Sequence, residues 1–402
     1  MLQPPFRPRI AVVTPLFPIR GEVYRGRPIY LTVREMAAGA EIGVFCPMAV
    51  YPPLRALQPR HFVYRRADMS WKPEGIPHLR YLEYPALPLA GRLTNGWFSY
   101  RAVLEPLRRF RPDVILAYWL YPEGWGTVRA GQRLGVPVVV GARGSDLLRI
   151  ADAWTLRMTR RVLAGAAAVA VVSGEMGRRA ADLGADPAKV RVIPNGCDTG
   201  VFHPADRRAA REALSIPPGS RLVLFVGHLT AAKGALDLVA AFRRMARDGD
   251  RLVLVGEGAL RDELSAAATL DPSLTLAGAA PPEQVARWLA ACDLLALPSY
   301  SEGCPNVVLE ALACGRPVVA SRVGASPDLV TPQCGILVPP GGIEALAAAL
   351  TAALDRVWDP AEIAASHRRP WSAAAKETLE LCLDQIGATV RHSPPRPPGG
   401  GV

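Results

Sequence analysis

Glu302 and Glu310 stand with seven residues between them, in the stretch Ser299-Tyr-Ser-Glu-Gly-Cys-Pro-Asn-Val-Val-Leu-Glu310. Pro305 reads as the first residue of a short helix, where its missing N–H costs nothing. Gly315 reads as the residue just past the helix end, where a left-handed conformation is needed. The backbone amides of Gly303, Cys304 and Asn306 then lie at a helix N-terminus, which attracts anions. The flanking acids can accept hydrogen bonds from sugar hydroxyls. Donors for a diphosphate beside acceptors for hydroxyls are what an enzyme acting on nucleotide sugars needs.

A second motif, Gly227-His228-Leu-Thr-Ala-Ala-Lys233-Gly234, follows the apolar run Leu222–Val226. Gly227 lets the backbone approach a ligand. Lys233, read as opening a helix, places a compact positive charge where a leaving diphosphate develops negative charge. The alternative is a turn with a solvated lysine, which the similar strand-loop-helix arrangement at Gly303–Pro305 disfavours. Gly256-Glu257-Gly258 follows the next strand and either accommodates a nucleotide or only ends the strand. Toward the start of the chain, Arg143 and Asp146 fall at the end of the run Val138–Val140, facing a cleft; Asp146 could instead cap a helix. Asn195-Gly196 reads as a tight turn near a domain seam. Gly21 lies in a basic loop, Pro18–Arg27, that could meet an anionic substrate or only be solvated.

These residues need a scaffold that brings strand ends together. Short apolar runs recur along the chain: Ile10–Val13, Glu41–Cys46, Val114–Ala117, Val136–Val140, Ala168–Val172 and Val190–Ile193, then Arg221–Val226, Arg251–Val255, Leu274–Ala277, Leu294–Leu297, Pro317–Ala320 and Gly335–Val338. Amphipathic segments such as Trp97–Phe110 and Ala235–Arg247 separate them. All-aliphatic runs alternating with helices predict parallel sheets buried on both faces, an α/β fold. Two such series predict two doubly wound, Rossmann-like domains, 1–200 and 201–370, with a cleft between them and the seam near 196–220. A helix over about 371–390 is expected to return to the first domain. Residues 48–96 read as an irregular insertion, and 393–402, rich in Pro and Gly, as a disordered tail.

The chain has 402 residues, half of them hydrophobic, and a formal net charge of +11. The excess is confined to residues 1–200, with 28 Lys+Arg against 15 Asp+Glu. A basic half points to an anionic partner, a diphosphate-bearing substrate or an anionic membrane surface. No helix-turn-helix, zinc-finger or RNA-binding signature marks a nucleic-acid partner. Seven scattered cysteines, an odd number without metal-ligand spacing, argue for a reducing compartment and against a disulfide framework or a metal site. No secretory signal and no apolar run of membrane-spanning length is visible. The expectation is a cytoplasmic protein, peripheral at the inner face of the plasma membrane.

Taken together, the motifs resemble the family 4 retaining glycosyltransferases of the two-Rossmann-domain (GT-B) type, over nearly the whole chain. The resemblance rests on Glu302–Glu310, Gly227–Gly234, Gly256-Glu257-Gly258, Arg143-Gly144-Ser145-Asp146 and Pro194–Asp198. The stretch Ala117–Gly124 looks like the exopolysaccharide and cell-wall polymer branch. The resemblance implies a hexosyltransferase using a nucleoside-diphosphate sugar as co-substrate and a glycan or lipid-linked acceptor, without a metal. It implies that Glu310 binds the ribose, that Glu302, Pro305 and the amides of Gly303, Cys304 and Asn306 surround the donor sugar, and that Lys233 holds the diphosphate. The family often pairs that lysine with an arginine; His228 stands there. Arg143 stands where many members carry a histidine. Alternatives on the same scaffold are a nucleotide-sugar epimerase and a non-catalytic nucleotide-sugar-binding protein.

Overall fold

A strand covered by helices on both faces has no polar side to present, so it is written in Val, Ile, Leu and Ala. In the computed structural model, which describes residues 7–51, 68, 70–88, 90–150 and 152–392, such runs form two parallel sheets, each within its own compact unit. The first unit takes residues 1–171, 176–193 and 374–402; the second takes 172–175 and 194–373.

The first unit contains β1 (Arg9–Val13), β2 (Glu41–Val50), β3 (His78–Pro85), β4 (Val114–Tyr118), β5 (Val138–Ala142), β6 (Ala168–Val171) and β7 (Val190–Val192), in the order β3-β2-β1-β4-β5-β6-β7. The second contains β8 (Leu222–Val226), β9 (Arg251–Val255), β10 (Leu274–Gly278), β11 (Leu294–Leu297), β12 (Val318–Ser321) and β13 (Gly335–Val338), in the order β10-β9-β8-β11-β12-β13. Strand order reverses direction between β1 and β4 in the first sheet and between β8 and β11 in the second. At such a switch point the connections leave in opposite directions and open a crevice at the carboxyl ends of the strands, where doubly wound sheets bind ligands.

Each unit has its own core. Val12, Val44 and Leu116 are buried in the first, and Leu224, Leu254 and Leu295 in the second. From Ala374 onward the last helix, Trp371–His392, belongs to the first unit, and its Ala374, Ala375, Leu381 and Cys382 join that core. No helix among the described residues is long and apolar enough to cross a membrane.

One sequence expectation is corrected here. Part of the stretch read as an irregular insertion is regular: β2 runs on to Val50, β3 pairs with it along its whole length, and the next helix begins at Gly91. β3 is the edge strand of its sheet. Leu79, Tyr81 and Tyr84 are buried while His78, Arg80 and Glu83 are exposed, so it reads as alternating polar and aromatic residues, not as an aliphatic run. Residues 52–67 of that stretch and the tail 393–402 lie outside the described residues.

Candidate functional site

The two loops at the switch point of the second sheet follow β8 and β11, and they carry Lys233 and Glu302. After β8 the chain passes Gly227 and His228 and makes a single 3-10 turn, Ala231–Lys233. Lys233 therefore ends a tight turn; the α-helix begins at Ala235, not at the lysine. The break is Gly234, whose φ of 67° is left-handed and whose Cα packs so closely on the Pro298 carbonyl that a Cβ would overlap it. After β11, Pro305 is the N-cap and not the first helical residue. Its ψ of 106° is extended, and the helix runs Asn306–Ala313. Gly315 is left-handed just past that helix, as its sequence position requires.

These turns bring the two side chains into contact. Lys233 Nζ lies 2.6 Å from Glu302 Oε1, and the Ser299 hydroxyl donates to the same oxygen at 2.7 Å. The Glu302 side chain is only 9% exposed and the Lys233 side chain 25%, so the pair sits at a mouth and not on an open surface. The Tyr300 amide donates to the Ala232 carbonyl at 2.9 Å, which ties the loops together. Ser299 had no assigned role in the sequence reading; the signal was its spacing, a serine three residues ahead of a glutamate, as in a capping box.

The next layer is backbone on backbone. The Gly227 amide donates to Val255 O at 3.0 Å, Leu229 N to Glu257 O at 2.9 Å, and Gly256 N to Gly278 O at 2.8 Å. A Cβ on Gly256 would overlap the Gly227 carbonyl, and one on Gly258 would overlap that of Leu229. The glycines are therefore required by loop contact. The Glu257 carboxylate receives both its described bonds from Arg261, at 2.8 and 2.9 Å. The His228 side chain is exposed at the rim.

Asn195 belongs with the β11 loop. Its side-chain amide donates to Asn306 Oδ1 at 2.7 Å and approaches the Cys304 carbonyl at 3.5 Å, all within the second unit. The expected Asn-Gly tight turn is absent. Gly196 is needed because Trp371 passes close by: a Cβ would come within 2.5 Å of its Cα. The Cys197 amide donates to Arg369 O at 2.8 Å, and the Arg369 guanidinium holds the Pro194 and Asn195 carbonyls at 3.2 Å each. Glu310, half-buried, lies on the same helix face as Asn306, and burial together with its carboxylate raises the Cys197 thiol pKa. Gly303 is braced by Ala325, whose amide donates to its carbonyl at 2.9 Å.

In the first unit, Arg143 lies 5.3 Å above the Tyr118 ring. Asp146 does not cap the short helix Ser145–Leu148; Gly144 is its N-cap. The Asp146 Oδ1 accepts the amides of Arg143 at 3.2 Å and Gly144 at 3.1 Å, and burial pushes its carboxyl up to about 6. Gly21 sits in an open, left-handed turn. The basic loop around it is anchored by Arg25, which donates to the Pro15 and Phe17 carbonyls.

Sequence reading missed Glu123, in the turn after β4. Its side chain is buried, Oε1 accepts the Tyr84 hydroxyl at 2.9 Å, and Oε2 has no partner among the described residues. Burial pushes this carboxyl up to about 7, against the opposing pull of the Tyr84 bond. Its folded value lies above its unfolded one, so the unfolded chain gives up this proton first as pH rises. Between about pH 4.5 and pH 7 this group therefore removes stability, up to about 3 kcal/mol. Glu123→Gln should abolish that slope: compared with the native chain, the variant gains stability between pH 5 and pH 8 in urea unfolding. Equal pH dependence of the two proteins would refute the assignment.

The family profile described as Glycosyltransferase Family 4 matches residues 30–201, and that described as Glycosyl transferases group 1 matches residues 220–356. The chain is 30% identical over 336 residues to a Bacillus subtilis protein named as a candidate teichuronic acid biosynthesis glycosyltransferase, covering 80% of this chain and 83% of that one. It is 39% identical over 210 residues to a D-inositol 3-phosphate glycosyltransferase of Segniliparus rotundus, spanning about half of each, 48% of this chain and 47% of the relative. Among solved structures, sucrose-phosphate synthase from Thermosynechococcus elongatus superposes with a TM-score of 0.73 at 23% identity, covering 95% of this chain and all of that one. Anabaena HepE in complex with UDP-glucose superposes with a TM-score of 0.65 at 19% identity, covering 96% of this chain and all of the other. Two parallel-sheet Rossmann-like halves, both family profiles and a relative matched over most of its length agree, and the chain belongs to the family 4, group 1 glycosyltransferases of the GT-B type.

Proposed function

We propose that this glycosyltransferase moves a sugar, with retention of anomeric configuration, from a nucleoside-diphosphate sugar to a glycan or lipid-linked acceptor in surface-polysaccharide synthesis. The observation that carries the donor half is the contact of Lys233 with Glu302 at the switch point of the second sheet. An ammonium has three N–H donors and Glu302 uses one, so Lys233 can also hold the departing diphosphate. As the bond from the anomeric carbon to the diphosphate oxygen breaks, negative charge grows on that oxygen. Lys233 and the amides of Gly303, Cys304 and Asn306 stabilise it. The acceptor hydroxyl attacks from the same face and its proton passes to the leaving phosphate, so no resident metal or separate base is needed.

In this reading Glu302 also orients the donor sugar, Glu310 accepts the ribose hydroxyls, and Gly227, Gly256 and Glu257 border the nucleotide. Asn195 fixes the donor loop through Asn306. His228 takes the place of a second cation at the diphosphate. Gly21, Arg143 and Asp146 serve the acceptor. A Bacillus subtilis relative named for a wall-polymer role and a structural neighbour holding UDP-glucose support the substrate class. The basic first half supports a cytoplasmic protein working at an anionic membrane face.

The test is transfer from a panel of nucleoside-diphosphate sugars to glycan and lipid-diphosphate acceptors, with product configuration read by NMR. A product of inverted configuration would sink the retaining assignment. Within the same assay, Glu310→Gln is expected to weaken nucleoside-diphosphate binding about tenfold, the loss of a charged hydrogen bond, and more than Glu302→Gln does. Calorimetry that ranked the two variants the other way would move the ribose contact elsewhere.

A further inference from the structure

The first sheet has a second concavity at the opposite edge from its switch-point loops, where β1, β2 and β3 begin. Arg9, Glu41 and His78 start those strands, and the C-terminal turn of the helix Gly91–Phe110 closes the side. The hollow has a volume of about 330 Å³. Its floor is built: Gly43 leaves room for the Phe110 ring, which a Cβ would meet at 2.7 Å, and Phe110 packs edge-on against Phe45 at 5.6 Å. The Arg9 guanidinium lies 4.8 Å above the Phe110 ring.

The rim is cationic. Arg9, Lys72, Arg80 and Arg109 all line it, with His78 beside them and Glu41 as the one lining carboxylate among the described residues. Glu41 pairs with Arg9 at 3.1 Å, and Glu105, outside the hollow, pairs with Arg109 at 3.1 Å. Lys72 donates to the Pro77 carbonyl at 3.0 Å, and neither Lys72 nor Arg80 makes an ion pair among the described residues. Lys72, His78 and Arg80 are exposed. The Arg9 Nε is buried, with no acceptor among the described residues.

We propose that this hollow binds the phosphate group of an anionic ligand, at a site separate from the donor-binding loops. Arginine and lysine converging over an apolar floor match a phosphate whose substituent is partly apolar. Two sources carry that chemistry, a soluble phosphate compound and a phospholipid headgroup. The inference does not depend on the glycosyl-transfer reading; if the ligand is a headgroup, it gives the membrane association proposed above a location.

The experiment uses the full chain and the double charge reversal Lys72→Glu/Arg80→Glu, both exposed positions. The His78 imidazole resonance, one of six histidines and assigned with His78→Gln, is followed while inorganic phosphate is added. Co-sedimentation with vesicles of phosphatidylcholine, with and without phosphatidylglycerol, forms the second arm. A saturable His78 shift that the double variant weakens at least tenfold supports a soluble phosphate ligand. Vesicle binding that needs phosphatidylglycerol and falls at least tenfold in the double variant, with no phosphate response, supports a headgroup. If phosphate moves nothing and the variant sediments like the native chain, the hollow is not the site, and a membrane face elsewhere remains. Sugar transfer to a soluble glycan acceptor should stay within twofold of native in the variant, showing that the fold is intact.

Discussion

Lys233→Ala lowers the rate of sugar transfer by at least about a hundredfold, the loss expected when a positioned donor at a developing oxyanion is removed. The size of the loss follows from where the ammonium is held. Lys233 ends a 3-10 turn that Gly234 terminates, so its backbone is fixed at a point from which the side chain reaches Glu302. A freely rotating surface lysine would have to be ordered at the moment of reaction; this one already is. The deletion also has a structural cost, because Glu302 is left buried with only the Ser299 hydroxyl described beside it. The two effects separate when the double variant Lys233→Ala/Glu302→Gln, which removes the uncompensated charge, is compared with Glu302→Gln alone, because Glu302 has its own role at the donor sugar. Thermal unfolding of the double variant should recover toward that of the native chain while transfer stays far below that of Glu302→Gln. Native-like turnover in Lys233→Ala would take the diphosphate role from this residue. Low turnover that recovers together with stability would make its role structural.

What the sequence revealed and what it hid divide along physical lines. Strands buried on both faces were legible, because burial forces an aliphatic run: Arg251–Val255 and Leu294–Leu297 fall where the composition places them. β3 was not, because an edge strand needs only one buried face, and its Leu79, Tyr81 and Tyr84 alternate with charged residues. The motifs at strand ends were visible as types and spacings, and the fold gathers those of the second unit at one switch point. Their partners were not visible, since contacts such as Lys233 with Glu302, 69 positions apart, or Asn195 with Asn306, 111 apart, depend on topology. Glu123 was hidden for the same reason: a glutamate in a loop reads as solvated until Tyr84, from another strand, is seen to cover it. Glycines misled in one respect. Asn195-Gly196 carries the composition of a turn, but its glycine answers to the passing backbone of Trp371.

Gly256→Ala should unfold the second unit more readily than any substitution of an exposed loop residue. Gly256 has a φ of 148°, a conformation that L-residues adopt only under strain, costing about 1–3 kcal/mol. The added methyl would also overlap the Gly227 carbonyl, and backbone cannot rotate aside as a side chain can. Relief requires the β8 and β9 loops to separate. That breaks the bonds from Gly227 N to Val255 O and from Leu229 N to Glu257 O. Overpacking of this kind adds about another 1–3 kcal/mol. At about 2–4 °C per kcal/mol for a unit of this size, the melting temperature should fall by about 10 °C. Nucleoside-diphosphate binding should weaken with it, because Gly227 and Lys233 share the displaced loop. Gly219→Ala provides the control, since a Cβ there meets nothing within 4 Å and its φ is not positive. A melting temperature within 2 °C of native in both variants would show that the loops yield without cost, and the glycine would then have no structural necessity at that position.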